Sequence, residues 1–199
     1  PILAILKIWR PTPLYRAHEA AGARMVEFAG WHMPVQYAGV VDEHVAVRTR
    51  AGLFAVSHMG EVLVRGPEAL AFLDHATCND VSKLVPGRIH YNGLMTPNGA
   101  FVDDLLIHQM AGDDYFVVVN AANKDKDFAW MLDGAKGFDV EVVDASASWA
   151  QIALQGPASV EILKPFVPAE VLALKYYTFS RASVDGVACI VSRTGYTGE

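Results

Sequence analysis

The sequence predicts an α+β protein of two similar lobes, each an antiparallel sheet with helices packed on one face. Three observations predict it. First, an apolar strand runs into Gly-Pro and then into an apolar helix twice: Val64, Gly66, Pro67 and Leu70 are matched by Leu154, Gly156, Pro157 and Val160. Gly-Pro also opens many unrelated helices, so coincidence is the competing reading. Second, Pro97-Asn98-Gly99 lies between two apolar runs, and Asn and Gly tolerate the left-handed backbone of tight turns. Third, apolar runs of strand length alternate with stretches of helical length.

The elements follow in order. Residues 14–23 form a helix candidate, with Thr12 as cap, Pro13 in the first turn and Gly22 as stop. Residues 25–31 alternate like a strand broken by Gly30. A second helix spans about 41–50 and stops at Gly52, and a strand covers 61–65. Pro67 then suits a first helical position, Glu68 complements the positive helix start, and Leu70, Phe72 and Leu73 continue the helix. Residues 93–96 and 100–107 make a hairpin around the Pro-Asn-Gly turn. A buried strand at 115–119 and a helix at 124–132 complete the series.

With 199 residues, 52% hydrophobic and 19% charged, the chain reads as globular, one large domain or two small ones. Disorder needs lower hydrophobicity and more charge. A net charge of −6 argues against nucleic acid, whose binders carry a basic face. Cys78 and Cys189 are too few and too far apart for a disulfide scaffold or a CxxC site. The expectation is two reduced core thiols in a reducing compartment, a bacterial cytoplasm or a mitochondrial matrix. The apolar start, residues 1–9, is too short to span a bilayer and lacks a basic leader and cleavage site. No transmembrane segment is expected. The chain opens on Pro1 and stops at Glu199 inside a Gly-rich turn, so both ends read as cut.

Asp103-Asp104 stands out chemically. Two carboxylates interrupt an apolar strand, and neighbouring strand residues point to opposite faces. A carboxylate on a core face must be paired, hydrogen-bonded or protonated. Burial would raise its pKa and suit it to proton transfer. The other reading is a buried Asp holding backbone amides beside a solvated neighbour, and the pattern alone does not choose. Ser57-His58-Met59-Gly60 reads as a strand end or tight turn, since adjacent Ser and His rarely face each other. The seven histidines show no metal-ligand spacing, and His44 beside Asp42 and Glu43 reads as a helix-surface cluster. There is no GxGxxG and no GxxxxGK[ST], which leaves nicotinamide cofactors and P-loop nucleotides without support. Tyr91, Tyr176, Tyr177 and Tyr196 could each stack on a flat heterocycle or cap the core.

Taken together and in order, these pieces resemble one family. Thr12-Pro13-Leu14-Tyr15, Phe28-Ala29-Gly30-Trp31, Met33-Pro34-Val35-Gln36-Tyr37 and Ala51-Gly52-Leu53-Phe54 look like its opening. Val56-Ser57-His58-Met59-Gly60, Arg65-Gly66-Pro67, Asn79-Asp80-Val81 and Asp103-Asp104-Leu105 continue it. Asn120 to Asn123, Lys126-Asp127, Leu154-Gln155-Gly156-Pro157 and Arg193 to Glu199 close it. The family is the aminomethyltransferase T-protein of the glycine cleavage system, and the resemblance covers nearly the whole chain from Thr12 onward.

The resemblance implies an enzyme of glycine catabolism and one-carbon metabolism. Tetrahydrofolate occupies a central channel, and an aminomethyl group arrives on the lipoyl arm of a partner, the H-protein. A folate nitrogen attacks the aminomethyl carbon, ammonia leaves, and methylenetetrahydrofolate forms. The family's active aspartate falls on Asp104, which would hydrogen-bond and polarise the folate nitrogen. Met59, Tyr91, Tyr176 and Tyr196 fall along the folate channel, Asn120 beside it, and Val118 on an apolar wall. Sulfur and aromatic side chains suit a flat pterin. The resemblance also places a middle lobe at about 52–139, with 1–51 and 140–199 forming the other.

Some positions depart from the family: Ala55 for Asp, Gly99-Ala100 for Gly-Gly, and Glu27 for Asp. The family pattern also runs on past Glu199 to a Glu that grips the pterin, to basic residues for the ligand's acidic tail, and to a final β-barrel lobe, none of which this chain includes. Three alternatives stand beside the main reading. One is a folate-dependent demethylase of the same superfamily. Another is a non-catalytic folate-binding relative serving iron–sulfur assembly, a branch with a Cys near the Gly195-Tyr196 turn that this sequence lacks. The last is a folded but inert fragment.

Overall fold

The computed structural model of the chain describes residues 9–198. Residues 1–8 and Glu199, which include most of the apolar start, lie outside the described residues. The described residues open with β1 (Arg10–Pro11), α1 (Tyr15–Ala20), β2 (Arg24–Phe28) and β3 (Trp31–Gln36), and these strands form a sheet in the order β1-β3-β2. Then come α2 (Val40–Thr49), β4 (Gly52–Ala55), β5 (Gly60–Arg65), α3 (Ala69–Ala76), β6 (Ile89–Met95), β7 (Phe101–Ala111) and β8 (Asp114–Val119). They are followed by α4 (Lys124–Gly134), β9 (Glu141–Asp144), β10 (Ile152–Gln155), α5 (Ser159–Leu163), α6 (Ala169–Leu172), β11 (Thr178–Val184) and β12 (Val187–Arg193).

The main sheet is five-stranded and antiparallel, in the order β6-β7-β8-β5-β9. Side chains alternate across its pleat. Val62, Val64, Leu105, Ile107, Val117 and Val119 point to one face and pack with Phe72 and Leu73 of α3 and Met131 of α4, forming the core. Burying each such side chain contributes about 1.5–3 kcal/mol. The opposite face carries Glu61, Leu63, Phe116, Val118, Asp104 and Tyr91 (by register with the core set). From Tyr115 to Val119 β8 is continuously apolar because both of its faces are covered: Phe116 and Val118 are buried along with their core-facing neighbours.

The Gly-Pro repeat is a repeat of structure. Gly66 and Gly156 have φ of +131° and +118°, and a Cβ on either would lie 2.7 Å from backbone atoms of a neighbouring segment. In both copies the backbone N–H two residues later bonds to that segment: Glu68 to the Asp139 carbonyl, and Ala158 to the Arg50 carbonyl. In both, the neighbouring segment enters a strand antiparallel to the one before the glycine, β9 against β5 and β4 against β10. Coincidence does not produce that equivalence. Gly52–Ala55 therefore pair with Ile152–Gln155, while Glu141–Asp144 join the five-stranded sheet.

Local expectations fail in four places. Thr12 does not cap α1 with its side chain: the helix begins at Tyr15, whose N–H bonds to the Thr12 carbonyl, and the buried Thr12 hydroxyl has no partner among the described residues. The stop is as expected, with Gly22 in the left-handed region and Ala23 N–H reaching back to the His18 carbonyl. Residues 25–31 are not one strand but a hairpin, because Ala29 and Gly30 both take positive φ and Trp31 starts the return strand. Pro67 and Glu68 precede α3, and the Glu68 carboxylate accepts from Asp139 N–H at 2.5 Å. The cysteines are free but not core: Cys78 is exposed on the loop after α3, and Cys189 is half-buried on β12.

Candidate functional site

Strand β7 splits the acidic pair. Asp104 points to the face opposite the core and is held from two sides. Tyr91 of β6 donates its hydroxyl to Oδ2 at 2.6 Å, and Asn120, just past β8, donates Nδ2 to Oδ1 at 2.7 Å. The same Asn120 amide lies 3.1 Å from the Asp104 carbonyl. Tyr91 reaches Asp104 because Gly93 is its register partner, which sets Tyr91 two residues along the same face. The hydrogen bond to Asp104 raises the Tyr91 pKa, with burial and the Asp104 charge adding to it. The phenol therefore keeps its proton as a donor. The Tyr91 ring is 54% exposed, so its face stays open to a ligand.

Asp103 points back toward α4 and takes the role of holding amides. It accepts from Asn123 Nδ2 at 2.9 Å, from Asn120 Nδ2 at 3.1 Å and from Asp104 N–H at 2.9 Å. Burial pushes its carboxyl up, but the neighbouring Asp127 and the hydrogen bonds from Asn123, Asp104 and Asn120 outweigh that and hold it below the usual range. The core-facing member of the pair is thus the one that holds amides.

Hydrogen bonds bring Tyr91, Asp104 and Asn120 together. Val118 lies one register step away, opposite Leu106. Met59 immediately precedes Gly60, which pairs with Val119, and so stands at the same sheet end as Asn120. Tyr176 meets Tyr177 edge to face at 4.6 Å, and Tyr177 lies near enough to Tyr91 to raise its pKa. Tyr196 lies farther round, with its ring edge-on to Phe54 of β4 at 6.0 Å.

Several residues here escaped the sequence reading. Asn123 was visible only as a motif member, although its i, i+3 spacing from Asn120 at a helix start places both amides on the Asp pair. Phe101, 69% exposed, lies over Gly93, where a Cβ would come within 2.2 Å of its ring. The signal was a glycine inside a strand, which marks close approach. Glu61, on the Asp104 face, is 3% exposed. Its pKa is raised to about 7 by burial, against the pull of Lys124 and with a push from Asp144. His58, also buried, is lowered by burial and by Lys124. Glu43, read as a surface residue, instead accepts from Tyr37 N–H at 2.6 Å and Gly39 N–H at 3.0 Å and secures the start of α2. No group of His, Cys, Asp or Glu among the described residues could hold a metal ion. Two clefts lie away from Asp104. One of about 320 Å³ is lined by Arg10, Trp31 and Lys124, and one of about 540 Å³ lies between Leu63 and Phe116 of the sheet and Arg181 and Ile190 of the β11–β12 hairpin.

Fold and site together define a two-lobed α+β protein whose sheet presents a doubly held aspartate among exposed tyrosines. The family model described as "GCVT N-terminal domain" matches residues 14–199, and the chain belongs to that family. An aminomethyltransferase of Desulfitobacterium hafniense is 50% identical over 188 residues, which are 94% of this chain and 52% of the relative. One of Geobacillus kaustophilus is 51% identical over 189 residues, with the same two coverages. The crystal structure of the glycine cleavage system aminomethyltransferase T from Bartonella henselae superposes with a TM-score of 0.88 at 35% identity, covering 96% of this chain and 52% of that one. A heterotetrameric sarcosine oxidase from a Corynebacterium shares the fold alone, with a TM-score of 0.60 at 15% identity. The chain spans about half the length of the curated aminomethyltransferases it matches.

Proposed function

We propose that this chain supplies the folate-activating half of a glycine cleavage aminomethyltransferase. The observation that carries the reading is the Asp104 carboxylate, fixed at 2.6 Å by Tyr91 and 2.7 Å by Asn120 on an open sheet face. A carboxylate with both oxygens already oriented can accept a further hydrogen bond from a ring N–H without losing side-chain freedom. Tetrahydrofolate is the acceptor substrate that fits. It presents N–H donors on a flat ring, and the exposed Tyr91 ring touches the aspartate while exposed Phe101 lies over Gly93, the register partner of Asp104.

In this reading Asp104 polarises the attacking folate nitrogen and takes up its proton. The nitrogen attacks the aminomethyl carbon carried on the lipoyl sulfur of the H-protein as ammonia leaves, a second folate nitrogen then displaces that sulfur, which departs as a thiol, and methylenetetrahydrofolate results. Met59, Val118, Tyr176 and Tyr196 line the channel for the ring. In this reading the middle lobe spans about 52–139, and the chain passes between the β4–β10 pair and the five-stranded sheet at residues 55–60 and 144–152. No helix among the described residues is long and apolar enough to cross a membrane. Two free cysteines suit a reducing compartment, a bacterial cytoplasm or a mitochondrial matrix.

The test is calorimetric titration of tetrahydrofolate into the chain under reducing, oxygen-free conditions. Saturable binding is expected, weakened at least about tenfold by Asp104→Asn and less by Tyr91→Phe, as losing a hydrogen bond to a charged group is worth about 1.5–3 kcal/mol. A folded chain that shows no saturable binding, or binds equally well as Asp104→Asn, would sink the reading.

A further inference from the structure

Behind Asp104 lies a carboxyl group with no direct part in that site. Asp127 of α4 is fully buried, at 0% exposure. Neither of its oxygens accepts a hydrogen bond among the described residues. The nearest cation, Lys126, stands 3.4 Å away with half its side chain in solvent and donates instead to the Val102 carbonyl at 2.7 Å. Asp127 N–H bonds to the Asn123 carbonyl at 2.8 Å and the Asn123 amide bonds to Asp103, which sets Asp127 beside the carboxylate at which three N–H donors already point. A fully buried anion beside a half-buried one is disfavoured, and one proton between them removes the conflict. Asp103, rich in donors, keeps the charge. Asp127, which has none, takes the proton.

We propose that Asp127 is a positioning residue of the Asp104 site: protonated, it donates a hydrogen bond to Asp103, and Asp103 so fixed holds the Asn120 amide that grips Asp104. The inference rests on reading Asp104 as the reactive carboxylate, but the chain of contacts from α4 to β7 exists without any ligand. Burial and the neighbouring Asp103 push the Asp127 carboxyl up to about 7, with Lys126 pulling the other way. These are the charged groups that act on it: Asp103 from β7 and Lys126 from its own helix. The described residues of α3 and β9, which also pack on α4, add none. Once Asp127 ionises, repulsion between the two carboxylates loosens the Asn120 grip. Site geometry is therefore tighter below that pH than above it.

The experiment is nuclear magnetic resonance of the isotope-labelled full chain between pH 5 and 9, following side-chain carboxyl carbons and Asn amide groups. Asp127 is expected to titrate near 7, and the Asn120 and Asn123 amide signals to move with the same midpoint. Asp127→Asn keeps an N–H donor and cannot ionise. It is expected to abolish that movement and leave Asn120 as in the wild type at low pH. Asp127→Leu, which keeps no donor, shifts the Asn120 signal at every pH. If that variant does not fold, the wild-type titration and Asp127→Asn decide. Titration of Asp127 among ordinary carboxylates near about 4, or Asn120 signals indifferent to pH, would overturn the proposal. Because no ligand is read, a failure of folate binding leaves this result standing, and the reverse holds too.

Discussion

The two copies of the strand–Gly-Pro–helix unit share their local geometry and differ in what covers them. In the first, Val62 and Val64 of β5 and Phe72 and Leu73 of α3 are at most 1% exposed. In the second, Ile152 of β10 is 58% exposed, Ile162 of α5 is 45% exposed, and α5 has no buried residue. Gly66 and Gly156 nevertheless adopt the same backbone against the same kind of neighbour. The unit's shape is thus a local property, set by a left-handed glycine and a proline. Its share of the stability depends on the packing it receives.

The largest expected effect breaks the contrast at its core. Phe72→Ala should lower unfolding free energy by about 3–5 kcal/mol, whereas Ile162→Ala should lower it by less than about 1 kcal/mol. Urea denaturation of both variants measures the gap, and equal losses would erase the contrast. A second pair sharpens the other half of the comparison. Gly66→Ala and Gly156→Ala should cost about 1–3 kcal/mol each, since both force an alanine into positive φ against backbone atoms. If Gly156→Ala were neutral, the geometric equivalence would have no energetic counterpart.

The two lobes also differ in buried acid. Glu61 and Asp127 are both carried by elements of the first unit's sheet and helix layer. A carboxyl whose folded pKa is raised to about 7 binds more protons folded than unfolded between the ordinary carboxylate value and 7. Stability therefore falls as pH rises through that window and stays low above it. Glu61→Gln should match the wild type near pH 4 and exceed it by about 1–2 kcal/mol at pH 8. A constant difference across pH would show that Glu61 ionises normally. The smallest effect concerns the thiols: Cys78→Ser and Cys189→Ser should each change stability by no more than about 0.5 kcal/mol, because neither lies in the core. A thermal-denaturation scan of each variant settles that.

Much of this was legible in the chain. The alternation at 61–65, the Pro-Asn-Gly turn and the apolar run at 115–119 become β5, the β6–β7 turn and β8. The adjacent aspartates could be assigned to opposite faces because strand periodicity is two. Resemblance added Tyr91 and Asn120, and both prove to be partners of Asp104. The hairpin at Ala29-Gly30 was hidden because alanine rarely adopts positive φ and Pro34 obscured the return strand. The grip of Asn123 on Asp103 was equally hidden, since it joins positions 20 residues apart.

The sequence by itself determined the local pieces, because glycine, proline and apolar period act over a few residues. It determined, too, that one of two neighbouring carboxylates would face away from the core. Only the tertiary structure decided which acids are buried, and hence which carry raised pKa values. In the sequence Asp127 stands out only as part of the Lys126-Asp127 motif on a helix candidate. It is fully buried because α4 packs that side of the helix onto the sheet beside Asp103. Desolvation depends on everything that surrounds a side chain, and no short stretch of sequence contains that information.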